Sequence, residues 1–441
     1  MSSLIRQFSK SRVILFGIFL RLVLIPFVAH PFDMYSWYRF AEDIFEQGIT
    51  FSYLGVGPIW YLFLSVLTPV YFGISNSLDI FAIPVSTLPA NFDPGYGIVY
   101  ITDPIFNLLI KIPLIVADFL SAFLIYRIVF HYSKSYLISR YSASLYFVSP
   151  IIIWISAGWG QYDSLAVLFT LFSFYSLLIS KKIPLSAFCI FLAIMIKVYP
   201  IIFLVPMIIS IYRFDENRRM TLNAILFYLV PISIFAFVFQ KDVISFITQL
   251  IIPTTFYFTS GFGLTYWSVS LLAPIDILFS RVIMYLIMLI LGFLSLYYTI
   301  RIAKTQFDTV ILGSFLFTAS YFLSSTVVSE QRSLILLALL SLSLLSHSSF
   351  RIYFLSLSFL AFIYAQKNFP FYLLPLASRF PESFEFLFSY TSIFLNRTPE
   401  FISPTYQSGA ILFIIGTLFS SILVILIFKI FQNHNDDNNL Y

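Results

Sequence analysis

The residues in this chain able to do chemistry are few and lie in short, separated stretches. Asp33 follows directly on an apolar run. Gly158-Trp159-Gly160-Gln161-Tyr162-Asp163 joins two apolar segments, Lys197 stands three residues before Pro200, and Ser329-Glu330-Gln331-Arg332 ends another apolar segment. A carboxylate such as Asp33 can take a proton from a hydroxyl nucleophile. Cations such as Lys197 and Arg332 can meet the charge that develops on a leaving phosphate. Lys111 and Asp118, seven apart, lie on one face of an apolar helix, where unpaired charge is costly. The stretch 254–267, which includes Tyr266 and Trp267, is rich in the hydroxyl and aromatic groups that bind sugars.

Each feature also has a plainer reading. Asp33 can cap the helix that follows it, and Gln161 or Asp163 can cap one starting at Ser164. Lys197 can snorkel to an interface, and Glu330 and Arg332 can be rim charges. Asp118 is expected to pair with Arg21 or another helix, and Lys111 either does the same or meets a lipid phosphate. Tyr266 and Trp267 also suit an interfacial aromatic belt. The chain holds no GxGxxG, P-loop, HExxH or GxSxG sequence, and its histidines, His30, His131, His347 and His434, are scattered. With Cys189 as the one cysteine, neither a disulfide framework nor a thiolate metal site is expected.

The elements that must position these groups are membrane helices. Of the 441 residues, 60% are hydrophobic and only 10% charged, against about 25% in soluble domains, and the mean hydropathy is +0.93. The net charge of +5 fits a positive-inside membrane protein, so nucleic acid is not expected as a partner. The apolar run 13–29 is interrupted by Arg21 and ends without a small-x-small cleavage site, and so reads as a first membrane helix with a cytoplasmic N-terminus.

Further Lys and Arg clusters at 127–140, 181–182, 213–219, 301–304, 351 and 429 mark cytoplasmic loops, and this alternation predicts about twelve crossings. They are expected near 13–29, 104–127, 141–157, 163–180, 184–197, 199–212, 221–239, 281–300, 309–328, 333–347, 352–365 and 408–430. The fold class is therefore all-α and polytopic, a single domain over 1–431 with a polar, disordered tail at 432–441. External loops fall at 31–102, 240–280 and 366–407, and both termini are cytoplasmic. Within the first loop, Trp37, Phe40, Ala41, Ile44 and Phe45 follow helical spacing, giving an interfacial helix ended by Gly48. The apolar stretch 58–74 is expected to dip into or lie on the membrane.

On this topology the polar stretches share the external face, and together they resemble the polytopic GT-C glycosyltransferases. The likeness is to the dolichyl-phosphate-glucose-dependent glucosyltransferases of N-glycan precursor assembly, and it runs from the first helix to about residue 340. His30-Pro31-Phe32-Asp33 sits where that family places its catalytic aspartate. The stretch from Lys111 to Asp118 looks like its second helix, Gly158 to Ser164 is similar to its Gly-x-x-Gln-Tyr-x-Ser turn, and Lys197 to its lysine after a short helix. Val328-Ser329-Glu330-Gln331-Arg332-Ser333 is similar to its Val-His-Glu-Lys-Ser sequence. Ser329 replaces the histidine, and Arg332 stands two residues after the glutamate, so the donor sugar stays open.

The resemblance implies a metal-independent, inverting hexosyltransferase without a cofactor. Its donor is a polyprenyl (dolichyl) phosphate sugar and its acceptor a lipid-linked glycan. Asp33 is the expected base; Lys197, Arg332, Glu330, Gln161, Tyr162, Asp163 and Lys111 are expected to bind the donor, and Tyr266 and Trp267 the acceptor. The other reading is a polyprenol-sugar or lipid transporter, for which polar groups at mid-depth such as Asp118 and Arg21 would argue.

Overall fold

The computed structural model describes residues 11–49, 57–88, 97–214, 223, 225–233, 262–271, 277–325, 327–344, 349–368, 372–384 and 406–436. The fold is helical throughout, with two sheets of two short strands each among the described residues. Five described helices are long and apolar enough to cross a membrane, or six when one bent pair counts as a single span. Much of the expected span 221–239 and of the external loops 240–280 and 366–407 lies outside the described residues.

Helix α1 (Arg12–Leu24) stops short of the expected 29, and α2 (Pro31–Gln47) starts at the proline. Proline suits the first helical position because its missing N–H would have no partner there. Gly48, at φ 78°, ends α2 as expected. Trp37, Ala41 and Ile44 are buried on one face of α2, and the more exposed Phe45 stacks on Phe72 at 4.4 Å. Helix α3 (Pro58–Leu78) has 21 residues and is one of the five of spanning length. Strands β1 (Ile83–Pro84) and β2 (Tyr100–Ile101) pair antiparallel and close the segment.

Helix α4 (Pro104–Ser133) begins where Asp103 Oδ1 accepts from the N–H groups of Ile105 and Phe106. The expected single span 141–157 is instead α5 (Tyr136–Phe147) followed by α6 (Pro150–Ile153) and a π-turn (Trp154–Trp159), bent by 51°. Pro150 is the cause, because proline disfavours a helical residue before it. Next come α7 (Asp163–Leu178), α8 (Ile183–Ile196), and a 3-10 turn (Tyr199–Phe203) that runs into α9 (Leu204–Phe214). The break between α8 and α9 falls at Lys197 and Pro200, as the sequence predicts.

The second half contains α10 (Ile277–Tyr297), α11 (Gln306–Ser324), α12 (Ser333–Ser343), α13 (Phe350–Asn368), the short α14 (Leu374–Ala377) and α15 (Tyr406–Asp436). Helix α15 continues to Asp436, into the first half of the expected tail, with no glycine or proline after Lys429 to stop it; residues 437–441 lie outside the described residues. Strand β3 (Phe262–Gly263) pairs in parallel with β4 (Val327–Val328). At Gly263 a Cβ would lie 2.1 Å from the Val328 carbonyl oxygen, so only glycine lets the two chains approach this closely. Strand β3 is followed closely by the 3-10 turn Tyr266–Leu271, and β4 by the turn Glu330–Arg332.

Deep in the bundle, Arg21 of α1 and Asp118 of α4 are fully buried and pair at 2.9 Å, as expected. Arg21 also donates to the Gly17 carbonyl at 3.1 Å and lies 4.1 Å over the Phe147 ring.

Candidate active site

The start of α2 is fixed from two sides. The Ala29 N–H donates to the Tyr372 carbonyl at 2.9 Å, and the His30 N–H donates to the Trp159 carbonyl at 3.2 Å. His30 caps α2, its Nδ1 accepting from the Asp33 N–H at 3.2 Å. The plainer reading of Asp33 as the cap is thereby overturned: Asp33 is the third residue of the helix, and its side chain points elsewhere. Asp33 Oδ2 accepts from Trp159 Nε1 and, at 2.6 Å, from Gln161 Nε2. Its side chain keeps 16% exposure, so a ligand can reach it.

The His30 ring stacks on Trp159 with centroids 4.4 Å apart and touches Tyr372 edge-on at 5.5 Å. Burial lowers its pKa to about 4, against the opposing pull of Asp33, so the imidazole is neutral at pH 7. A histidine held neutral stabilises the fold above its unfolded pKa of about 6.5, and that contribution is lost as pH falls through the window down to about 4. Asn at position 30 keeps a cap acceptor but does not titrate. His30→Asn is therefore expected to flatten the decline in melting temperature across that window, which thermal unfolding in detergent measures; an unchanged decline would assign it to other groups.

The turn that carries Trp159 and Gln161 is built around Lys111. Its buried ammonium donates to three backbone carbonyls, those of Ile25 (3.3 Å), Gly158 (3.2 Å) and Val28. All three of its protons are thus taken, and Lys111 is corrected from a donor-binding residue to the hub that sets the shape of the site. Gly160, at φ 88°, follows the π-turn, and a Cβ there would come within 2.5 Å of Met34 Sδ.

Beyond Gly160, Tyr162 stacks on Trp60 at 4.8 Å and meets Trp37 edge-on at 5.3 Å. Lys197 Nζ lies 4.0 Å over the Tyr162 ring and 3.3 Å from Asp163 Oδ2. The plainer readings fail here too: α7 starts at Asp163 with no side-chain cap, because Asp163 is paired with Lys197 and Gln161 with Asp33. Burial works against the Lys197 ammonium, but Asp163 and Tyr162 outweigh it and hold its pKa above the ordinary lysine value.

Arg332 donates through Nη1 to the Tyr321 hydroxyl and lies 5.5 Å over the same ring. Burial lowers its pKa, opposed by Asp163 and Tyr199, and the charges of Arg332 and Lys197 act on each other. Glu330 is buried in the same turn and acts electrostatically on Tyr372, as Asp33 does. Asp33, Gln161, Tyr162, Asp163, Lys197, Glu330 and Arg332, drawn from distant parts of the chain, therefore converge.

Tyr266 and Trp267 are arranged differently. Both donate to the Leu323 carbonyl, at 2.6 and 3.1 Å, and Trp267 is buried. They close the end of α11, and the acceptor role expected of them is not carried by this geometry. Among the described residues, no three His, Cys, Asp or Glu side chains are grouped so as to hold a metal ion.

Sequence reasoning missed His30, Trp159, Tyr199, Tyr321 and Tyr372 as parts of the site. Pro31 could have marked His30 as a cap, since proline favours the position just after one. The tyrosines carry no local signal, being indistinguishable by spacing from core aromatics. A scan against protein-family models finds no match to this chain, and a search of curated proteins finds none either.

Proposed function

We propose that this protein is a GT-C-type membrane glycosyltransferase of about twelve crossings. It moves a hexose from a polyprenyl phosphate to a lipid-linked glycan on the external face of the membrane. The observation that supports this reading is a reachable carboxylate, Asp33, with a separate pair of half-buried cations, Lys197 and Arg332, in the same cluster. Asp33 takes the proton from the acceptor hydroxyl as its oxygen attacks the anomeric carbon, with inversion. Lys197 and Arg332 meet the negative charge that grows on the departing phosphate. Nucleotide sugars are cytoplasmic, so an external enzyme needs a donor carried by a lipid, and the break between α8 and α9 gives such a lipid lateral access to Lys197. The transporter reading draws on Arg21 and Asp118, yet these two are paired and sealed from solvent, which suits a strut better than a carrier site.

Membranes containing the protein, incubated with labelled dolichyl-phosphate glucose and mannose, are expected to pass label from one of the two donors into lipid-linked oligosaccharide. Label that stays on both donors, in membranes where a control transferase is active, would sink the proposal.

A further inference from the structure

The anion subsite is built from three charges that do not cancel. Asp163 has a side chain only 1% exposed and pairs with Lys197, but neither carboxylate oxygen has a hydrogen-bond partner. Buried polar atoms are nearly always bonded, so a carboxylate held by one ion pair alone, with Oδ1 meeting nothing, points to a place completed by a donor on something bound. The buried Tyr199 hydroxyl also lacks a hydrogen-bond partner, and the charges of Asp163 and Arg332 both act on it. Asp163 acts in turn on Lys197 and on Arg332. Lys197 and Arg332 can meet one negative charge on a ligand, while Asp163 opposes any further one. Among the described residues more negative charge lies near: Asp33 acts on Tyr162, which faces Lys197, and Glu330 lies beside Arg332 in the turn. A second negative charge on the ligand is therefore poorly compensated where water screens weakly.

We propose that Asp163 sets the charge class of the ligand: the subsite accepts a phosphodiester with one negative charge and disfavours a phosphomonoester dianion. This rests on the glycosyl-transfer reading and gives it a direction. In that reaction the acceptor oxygen bonds to the anomeric carbon and its proton passes to Asp33. The bond between the anomeric carbon and the phosphate oxygen breaks, and its electron pair stays on the phosphate. The donor is a diester, and the product lipid phosphate is a monoester whose second pKa is about 6. It therefore becomes a dianion in the site, and repulsion from Asp163 helps to expel it. Specificity of this kind comes from a repulsive element placed against the wrong ligand.

The test is the ratio of dissociation constants for two probes, citronellyl phosphate and citronellyl glucosyl phosphate, measured by titration calorimetry on the full chain in detergent. Lys197→Arg and Asp163→Asn/Lys197→Arg are compared, so that both cations stay charged in each. Wild type is expected to favour the diester by about tenfold near pH 8, and the double variant to lose or reverse the preference that Lys197→Arg shows. The wild-type preference should also narrow to about threefold near pH 5, where the monoester holds its second proton. The same ratio in the double variant as in Lys197→Arg, or the same wild-type ratio at both pH values, would overturn this proposal alone. Failure of wild type to bind either probe would overturn it together with the glycosyl-transfer reading.

Discussion

Asp33→Asn should all but stop hexose transfer while leaving the protein folded. The two side chains have the same shape, and the asparagine oxygen can still accept from Trp159 and Gln161 as Oδ2 does now. Because His30 is the cap, the substitution removes only the favourable placement of a negative charge in the first helical turn, about 0.3–1 kcal/mol. Loss of a general base costs roughly 10² to 10⁴ in rate, which is several times larger in free energy. Expression, melting temperature and donor binding should therefore stay near wild type while turnover collapses. Asp33→Glu should recover little, since a longer side chain misplaces the acceptor oxygen. Full activity in the asparagine variant would reduce Asp33 to a structural residue and remove the base from the mechanism.

The largest loss of stability is expected from breaking the Arg21 and Asp118 pair. Both side chains are fully buried, and removing one leaves the other charged with no water to solvate it. Arg21→Ala or Asp118→Ala should each destabilise the bundle by about 3–5 kcal/mol, with the arginine variant also losing its contact over Phe147. Replacing both with apolar residues of similar volume, Arg21→Met with Asp118→Leu, should restore much of the loss, because no uncompensated charge remains. Thermal unfolding and recovery from detergent-solubilised membranes would show this ordering. Single variants as stable as wild type would mean that water reaches the pair.

These two cases show what could be read from the chain and what could not. Arg21 and Asp118 stood out because charge inside an apolar run needs a partner, and the number of candidates was small. The interfacial helix was equally plain, since its apolar spacing, Pro31 and Gly48 mark its face and both its ends. The bend at Pro150 had a visible cause, but periodicity alone ran 141–157 together as one span. The site was legible only as a set of isolated polar stretches. That Trp159 donates to Asp33, or that Lys111 faces three carbonyls, depends on how separate helices meet, and no local pattern encodes it. Tyr266 and Trp267 misled for the opposite reason: aromatic residues in a loop look free until the helix end they cover is known.

The turn from Trp159 to Asp163 has a consequence for how such a protein can diversify. The two donors that aim Asp33 and the carboxylate that grips Lys197 all leave this one stretch of backbone, which is itself fastened through Gly158 to Lys111. Asp33 and Lys197 are therefore held on a common frame, and the interval between them cannot stretch or shrink to suit a new ligand. A different acceptor has to be accommodated by what surrounds the frame. Tyr372 is the nearest candidate for such change, since it touches His30 and Trp159 from a segment that contributes no charge to the frame.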